Sequence, residues 1–123
     1  MENLKSEKTG VSATKTKYKL RVYIAGPMRG IKDLNRTAFN KAEKKLSKLS
    51  YFIPYNPAKQ DKELNLTDSE LLSKEGLRSV MRRDLNALCE CDAVYMLTGW
   101  EKSEGSIIEH RLATMLGLTI LYE

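Results

Sequence analysis

The sequence predicts an α/β protein with a parallel sheet covered by helices on both faces. Short runs rich in β-branched and aromatic residues alternate with longer segments of helical periodicity, in the order β-α-β-(α)-α-β-α-β. Strands separated by helices connect by right-handed crossovers, which makes neighbouring strands parallel. At 123 residues, the chain has room for one such core and no second.

Each element has its own signal. Residues 1–17 are polar, with four Lys and two Glu, and read as a disordered tail before a domain spanning 18–123. Lys19 to Gly26 is a β-branched and aromatic run stopped by Gly26-Pro27, hence a strand and a loop. Asn35 to Leu49 places Ala38, Phe39, Ala42, Leu46 and Leu49 at helical spacing. Its outer face carries Arg36, Lys41, Lys44, Lys45 and Lys48. Tyr51 to Tyr55 is a brief strand closed by Asn56-Pro57. Residues 58–74 are weakly patterned and predict a loop with a short helix near Ser69–Ser73. Leu77 to Glu90 is a helix, Ala93 to Leu97 a buried strand, and Thr98 to Gly105 a loop. Ser106 to Leu116 is a helix stopped by Gly117, and Leu118 to Tyr122 is the last strand.

Composition narrows the classes of function. Hydrophobic residues make up 41% and charged residues 30%, an ordinary globular mix. No apolar run approaches the roughly 20 residues of a membrane helix, and the polar N-terminus has no secretory h-region. Cys89 and Cys91 stand one residue apart, which makes neither a disulfide framework nor a four-ligand zinc site. No metal or cofactor is expected, and a reducing cytoplasm is the expected location. The net charge of +5 is partly tail: the chain beyond it holds 17 basic against 14 acidic residues. The remaining basic excess falls on a helix face without an aromatic stripe, so nucleic acid is not the expected partner.

In open parallel sheets, ligands bind at the carboxyl ends of strands, beside a topological switch point. Gly26–Leu34, Asn56 onward and Thr98–Gly105 fall there. Asp84 projects from the apolar stripe formed by Leu77, Val80, Met81, Leu85 and Leu88. A carboxylate there is either paired in a buried ion pair or cap, or lines a polar cavity. Glu109 has two readings. Ser106-Ile107-Ile108-Glu109 fits a capping box. Alternatively, Glu109 stands at the cleft mouth, where helix N-terminal amides would keep it ionised. Gly26-Pro27-Met28-Arg29-Gly30 offers backbone amides and one Arg, suited to a phosphate. Ser103-Glu104-Gly105, just before a helix, is a second anion seat or an ordinary cap.

Taken together, Tyr23-x-x-Gly26, Met28-Arg29-Gly30, Arg83-Asp84-Leu85, Cys91-Asp92-Ala93-Val94 and Ser103-x-Gly105-x-x-x-Glu109 resemble the nucleoside 2-deoxyribosyltransferase superfamily. The chain looks most like its 2'-deoxynucleoside 5'-monophosphate N-hydrolases and their small, often phage-encoded, uncharacterised relatives. The resemblance spans residues 19–122. It implies a flavodoxin-like (Rossmann-like) three-layer sandwich with a four- to five-stranded parallel sheet. It also implies cleavage of a deoxynucleotide's N-glycosidic bond in a bacterial or phage-infected host cytoplasm. Glu109 would attack C1' of the sugar, Asp84 would serve as acid/base at the nucleobase or orient the sugar, and Tyr23 would support the nucleophile. Gly26, Met28, Arg29, Gly30, Ser103 and Gly105 would bind substrate and phosphate.

Transferases of the superfamily carry Asp six residues before the catalytic Glu, where this chain has Ser103. They also supply a C-terminal Asn to the neighbouring subunit, which this chain lacks after Glu123. Both departures favour a monophosphate. The hydrolases borrow a Ser from a neighbouring subunit, for which no match is found. A homodimer or higher homo-oligomer is expected. Base exchange by a transferase and non-catalytic nucleotide binding on the same fold are the alternatives. Trp100 either stacks on the base or serves as an exposed aromatic or dimer contact. His110 is expected at the surface, and Cys89 and Cys91 in the core.

Overall fold

The computed structural model describes residues 19–123; the predicted tail, residues 1–17, lies outside the described residues. The four strands are β1 (Leu20–Ala25), β2 (Phe52–Tyr55), β3 (Ala93–Met96) and β4 (Thr119–Tyr122). They form one all-parallel sheet in the order β2-β1-β3-β4. The helices are α1 (Arg36–Ser47), α2 (Pro57–Gln60), α3 (Asp68–Leu71), α4 (Lys74–Cys89) and α5 (Glu104–Leu116). The strand order reverses between β1 and β3. This makes the fold flavodoxin-like and puts its switch point above Ala25 and Met96, which pair in register.

Alternation along β1 explains the layers. Val22 and Ile24 face one side, where they pack with Phe39, Ala42 and Leu46 of α1. Tyr23 and Ala25 face the other, packed with Leu88 of α4 and Ala113 of α5. Among the described residues, no helix is long and apolar enough to cross a membrane.

Several boundaries differ from the sequence expectation. The helix expected over 35–49 ends at Ser47, and Leu49 is exposed in the following turn. Residues 58–74 are more structured than expected. They contain α2, capped by the Asn56 side chain, a 3-10 turn at Asp61–Leu64, and α3, opened by a Thr67/Glu70 capping box. Helix α4 starts at Lys74, where Ser73 accepts from the Gly76 amide. Gly76 is a steric requirement, because a Cβ there would lie 1.9 Å from the Glu70 carbonyl oxygen. Cys91 is buried but Cys89 is exposed, since the last turn of α4 rotates it away from the sheet. The basic outer face of α1 is not wholly solvated. Arg36 bridges Asp33 and Asp68 at 2.7 Å each, joining the loop after β1 to α3.

Candidate active site

A cleft of about 410 Å³ opens at the switch point. One wall is the loop after β1, with Gly26, Met28 and Arg29. Another is the segment leading into α5, with Lys102, Ser103 and Gly105. Asp61, Asp84 and Glu109 also line the cleft. The apolar wall comes from Leu71, Leu72, Leu77, Val80, Met81 and Ile108. This explains the exposure of Leu77. The stripe of α4 divides along its length, with Leu88 entering the core and Leu77, Val80 and Met81 facing the cleft.

Glu109 does not form the capping box. Helix α5 starts two residues earlier than expected, at Glu104. Ser103 is its N-cap, accepting from the Ser106 amide at 3.3 Å and the Ser106 hydroxyl at 3.1 Å. Glu109 therefore lies in the second turn, buried, and its Oε2 accepts a 2.5 Å hydrogen bond from the Tyr23 hydroxyl. The expectation that helix amides hold Glu109 ionised fails for the same reason. Burial raises its pKa to about 8; the Tyr23 hydrogen bond works against this, and nearby Asp84 adds to it. Tyr23 is itself fully buried, with its ring stacked on Tyr55 at 5.5 Å. Its own pKa lies well above the usual value, raised first by burial and then by Glu109 and Asp84.

Asp84 is both paired and on the cleft. Arg83 donates to its Oδ1 from Nη2 at 2.6 Å and from Nε at 2.9 Å. Burial outweighs this pairing and raises the Asp84 pKa to about 6. The same Arg83 Nη2 donates to Asp61 Oδ1 at 2.7 Å and to the Pro57 carbonyl at 3.2 Å. Sequence reasoning missed Asp61, which burial also shifts upward. It sits in the weakly patterned segment where no periodicity singles it out. Arg83 was visible only as a member of the Arg-Asp-Leu string.

The remaining predicted residues divide. Arg29 is at the cleft but donates from Nη1 to the Leu72 carbonyl at 3.2 Å, tying two walls together. Gly26 has a packing reason, because a Cβ there would come within 2.7 Å of the Leu97 side chain. Gly105 lines the cleft, and a Cβ there would meet only the Met81 sulfur, at 3.9 Å, an ordinary contact. Gly30 does not line the cleft; it supplies a left-handed turn at φ 78°. Trp100 does not line it either. Its ring stacks on His110 at 4.3 Å and packs against the α5 side of the core. His110 is therefore half-buried rather than at the open surface, and its Nε2 pairs with the Tyr122 hydroxyl at 2.9 Å. Among the described residues, no group of three or more His, Cys, Asp or Glu is arranged to hold a metal ion.

Sheet order and cleft position define a flavodoxin-like α/β protein with a carboxylate-rich site at its switch point. The chain belongs to the family described as "Domain of unknown function (DUF4406)", which matches residues 20–122. Among solved structures, it is similar to a 2-deoxyribosyltransferase from the psychrotolerant bacterium Bacillus psychrosaccharolyticus. The two are 22% identical, with a TM-score of 0.59 over 83% of this chain and 70% of that one. At this identity the likeness is one of fold, and it agrees with the superfamily indicated by the motifs. No curated protein matches the chain.

Proposed function

We propose that the protein hydrolyses the N-glycosidic bond of 2'-deoxynucleoside 5'-monophosphates. The observation that carries this reading is the Tyr23–Glu109 hydrogen bond, placed with Asp84 on one cleft at the switch point. A carboxylate that lines a cleft and is not spent on capping its own helix is available to a ligand there.

In this reading, a Glu109 oxygen attacks C1' as the C1'–N bond breaks. The sugar passes through an oxocarbenium-like state that the carboxylate stabilises and then captures as an ester. Asp84 gives its proton to the departing base. Water then attacks C1' and returns a proton to Asp84, freeing deoxyribose 5-phosphate and Glu109. Arg29, Ser103 and the amides near Gly105 would seat the phosphate. A homodimer or higher homo-oligomer belongs to the same proposal. The end of helix α5 leaves Met115 and Leu116 81% and 45% exposed, an apolar patch suited to a second copy. The expected location remains the cytoplasm.

Purified protein is incubated with deoxynucleoside monophosphates, ribonucleotides and deoxynucleosides, and free base is followed. Release from a deoxynucleotide, abolished by Glu109→Ala, is the expected result. Release from none of them, with ligand binding intact, would leave a nucleotide-binding protein. The fold shared with a 2-deoxyribosyltransferase also favours base exchange, so a second base is added in parallel. A new nucleoside would assign the transferase.

A further inference from the structure

We propose that Arg83 is the positioning residue of this cleft: it holds Asp84 by one oxygen and ties it to Asp61, so that the two carboxylates act on a ligand as one unit. The inference rests on the glycosidase reading for its activity readout, but its geometry is independent of that reading.

One guanidinium nitrogen, Nη2, serves Oδ1 of both Asp61 and Asp84, at 2.7 and 2.6 Å. Both carboxylates are buried and both line the cleft. The third acceptor on that nitrogen is the Pro57 carbonyl, which fixes Arg83 to the start of α2. Arg83 Nη1 is buried with no hydrogen-bond partner. Every bond Arg83 makes comes from Nε or Nη2, the side turned to the two carboxylates and the Pro57 carbonyl. Oδ2 of each carboxylate is the oxygen that Arg83 does not engage.

The charges around Asp84 give the pair a signed signature. Arg83 faces it from its own helix, Asp61 from the turn after α2, Tyr23 from β1, Tyr55 from β2 and Glu109 from α5. Arg83 favours the ionised form of Asp84, and Asp61 opposes it. Removing the first raises the Asp84 titration midpoint; removing the second lowers it.

The test follows the carbon-13 carboxyl resonance of Asp84 in the full chain, identified by its loss in Asp84→Asn. Arg83→Met should move the midpoint up by about 1 to 3 pH units. Asp61→Asn should move it down, and Arg83→Lys, which keeps the charge but not the fork, should fall between wild type and Arg83→Met. Base release by Arg83→Met should still fall in kcat, about 10-fold or more with KM little changed, although the raised midpoint leaves Asp84 more often protonated, because a misplaced acid delivers its proton poorly. Asp61→Asn, which alters one atom, serves where Arg83→Met does not fold. A midpoint unmoved in folded variants overturns the proposal, as does one moved in the same direction by Arg83→Met and Asp61→Asn. Shifts of opposite sign in a protein whose wild type releases no base would support the pairing and sink the glycosidase.

Discussion

Glu109 leaves water for a single hydrogen bond, the one from Tyr23, and burial decides its protonation. As pH rises past 4.5, the unfolded chain ionises this group, while the folded chain keeps the proton until about 8. The unfolded state then binds fewer protons than the folded one, so stability falls with pH through that window. The slope from this one group is about 1.4 kcal/mol per pH unit. Glu109→Gln keeps the shape and an acceptor for Tyr23 but cannot ionise. Urea unfolding at a series of pH values should show the variant gaining on wild type from about pH 4.5 to about pH 8, and level beyond. A gap that stays constant across the window would mean that Glu109 is ionised in the folded protein. Asp84 was legible in the sequence because it broke an apolar stripe, and Glu109 because it stood near a helix start after a strand, where it also fitted a capping box. Asp61 broke no pattern, since no regular one surrounds it.

The long elements were legible because their apolar positions repeat at 3.6 or 2 residues over enough turns to be read. Of the wall between β2 and α4, only the short helix near Ser69–Ser73 was legible, met by α3 at Asp68–Leu71, because its helices have only four residues each and are set by caps rather than by periodicity. Asn56, Thr67 and Ser73 each start a helix there through a side-chain oxygen. Gly76 is the tightest point of this wall, where α4 passes the Glu70 carbonyl. Gly76→Ala meets backbone rather than a flexible side chain, so α3 and α4 must separate. We expect a loss of about 1–3 kcal/mol in denaturant unfolding, together with weaker ligand binding, because Leu71 and Leu72 line the cleft from α3 and the turn after it. Wild-type stability in this variant would show that the two helices yield there without strain. The start of α5 was misplaced by two residues for a related reason. Ser103 and Ser106 both satisfy the rule for a cap, and only the extended backbone of Ser103 selects between them.

At the scale of the molecule, topology collects three carboxylates from separate stretches of sequence above one switch point. Asp61 follows β2, Asp84 belongs to the crossover into β3, and Glu109 follows β3. Arg83 pairs with Asp61 and Asp84, yet burial still leaves Asp84 and Glu109 holding protons more tightly than isolated carboxylates do. That fixes the shape of the pH dependence. Attack needs Glu109 ionised, and departure of the base needs Asp84 protonated. Their environments set the opposite order, with Asp84 near 6 and Glu109 near 8. The two share one proton between those values, and the reactive form is the minority in which that proton sits on Asp84. Its share is constant while the pair holds one proton, and falls tenfold per unit once the pair gains a second proton or loses the first. We therefore expect kcat/KM for a deoxynucleotide to be flat from about pH 6 to about pH 8 and to decline on both sides. The substrate phosphate ionises near pH 6 as well, roughly where the acid limb falls, so the alkaline limb is the diagnostic one. A rate that holds steady well above pH 8 in folded protein would separate catalysis from the Glu109–Asp84 pair.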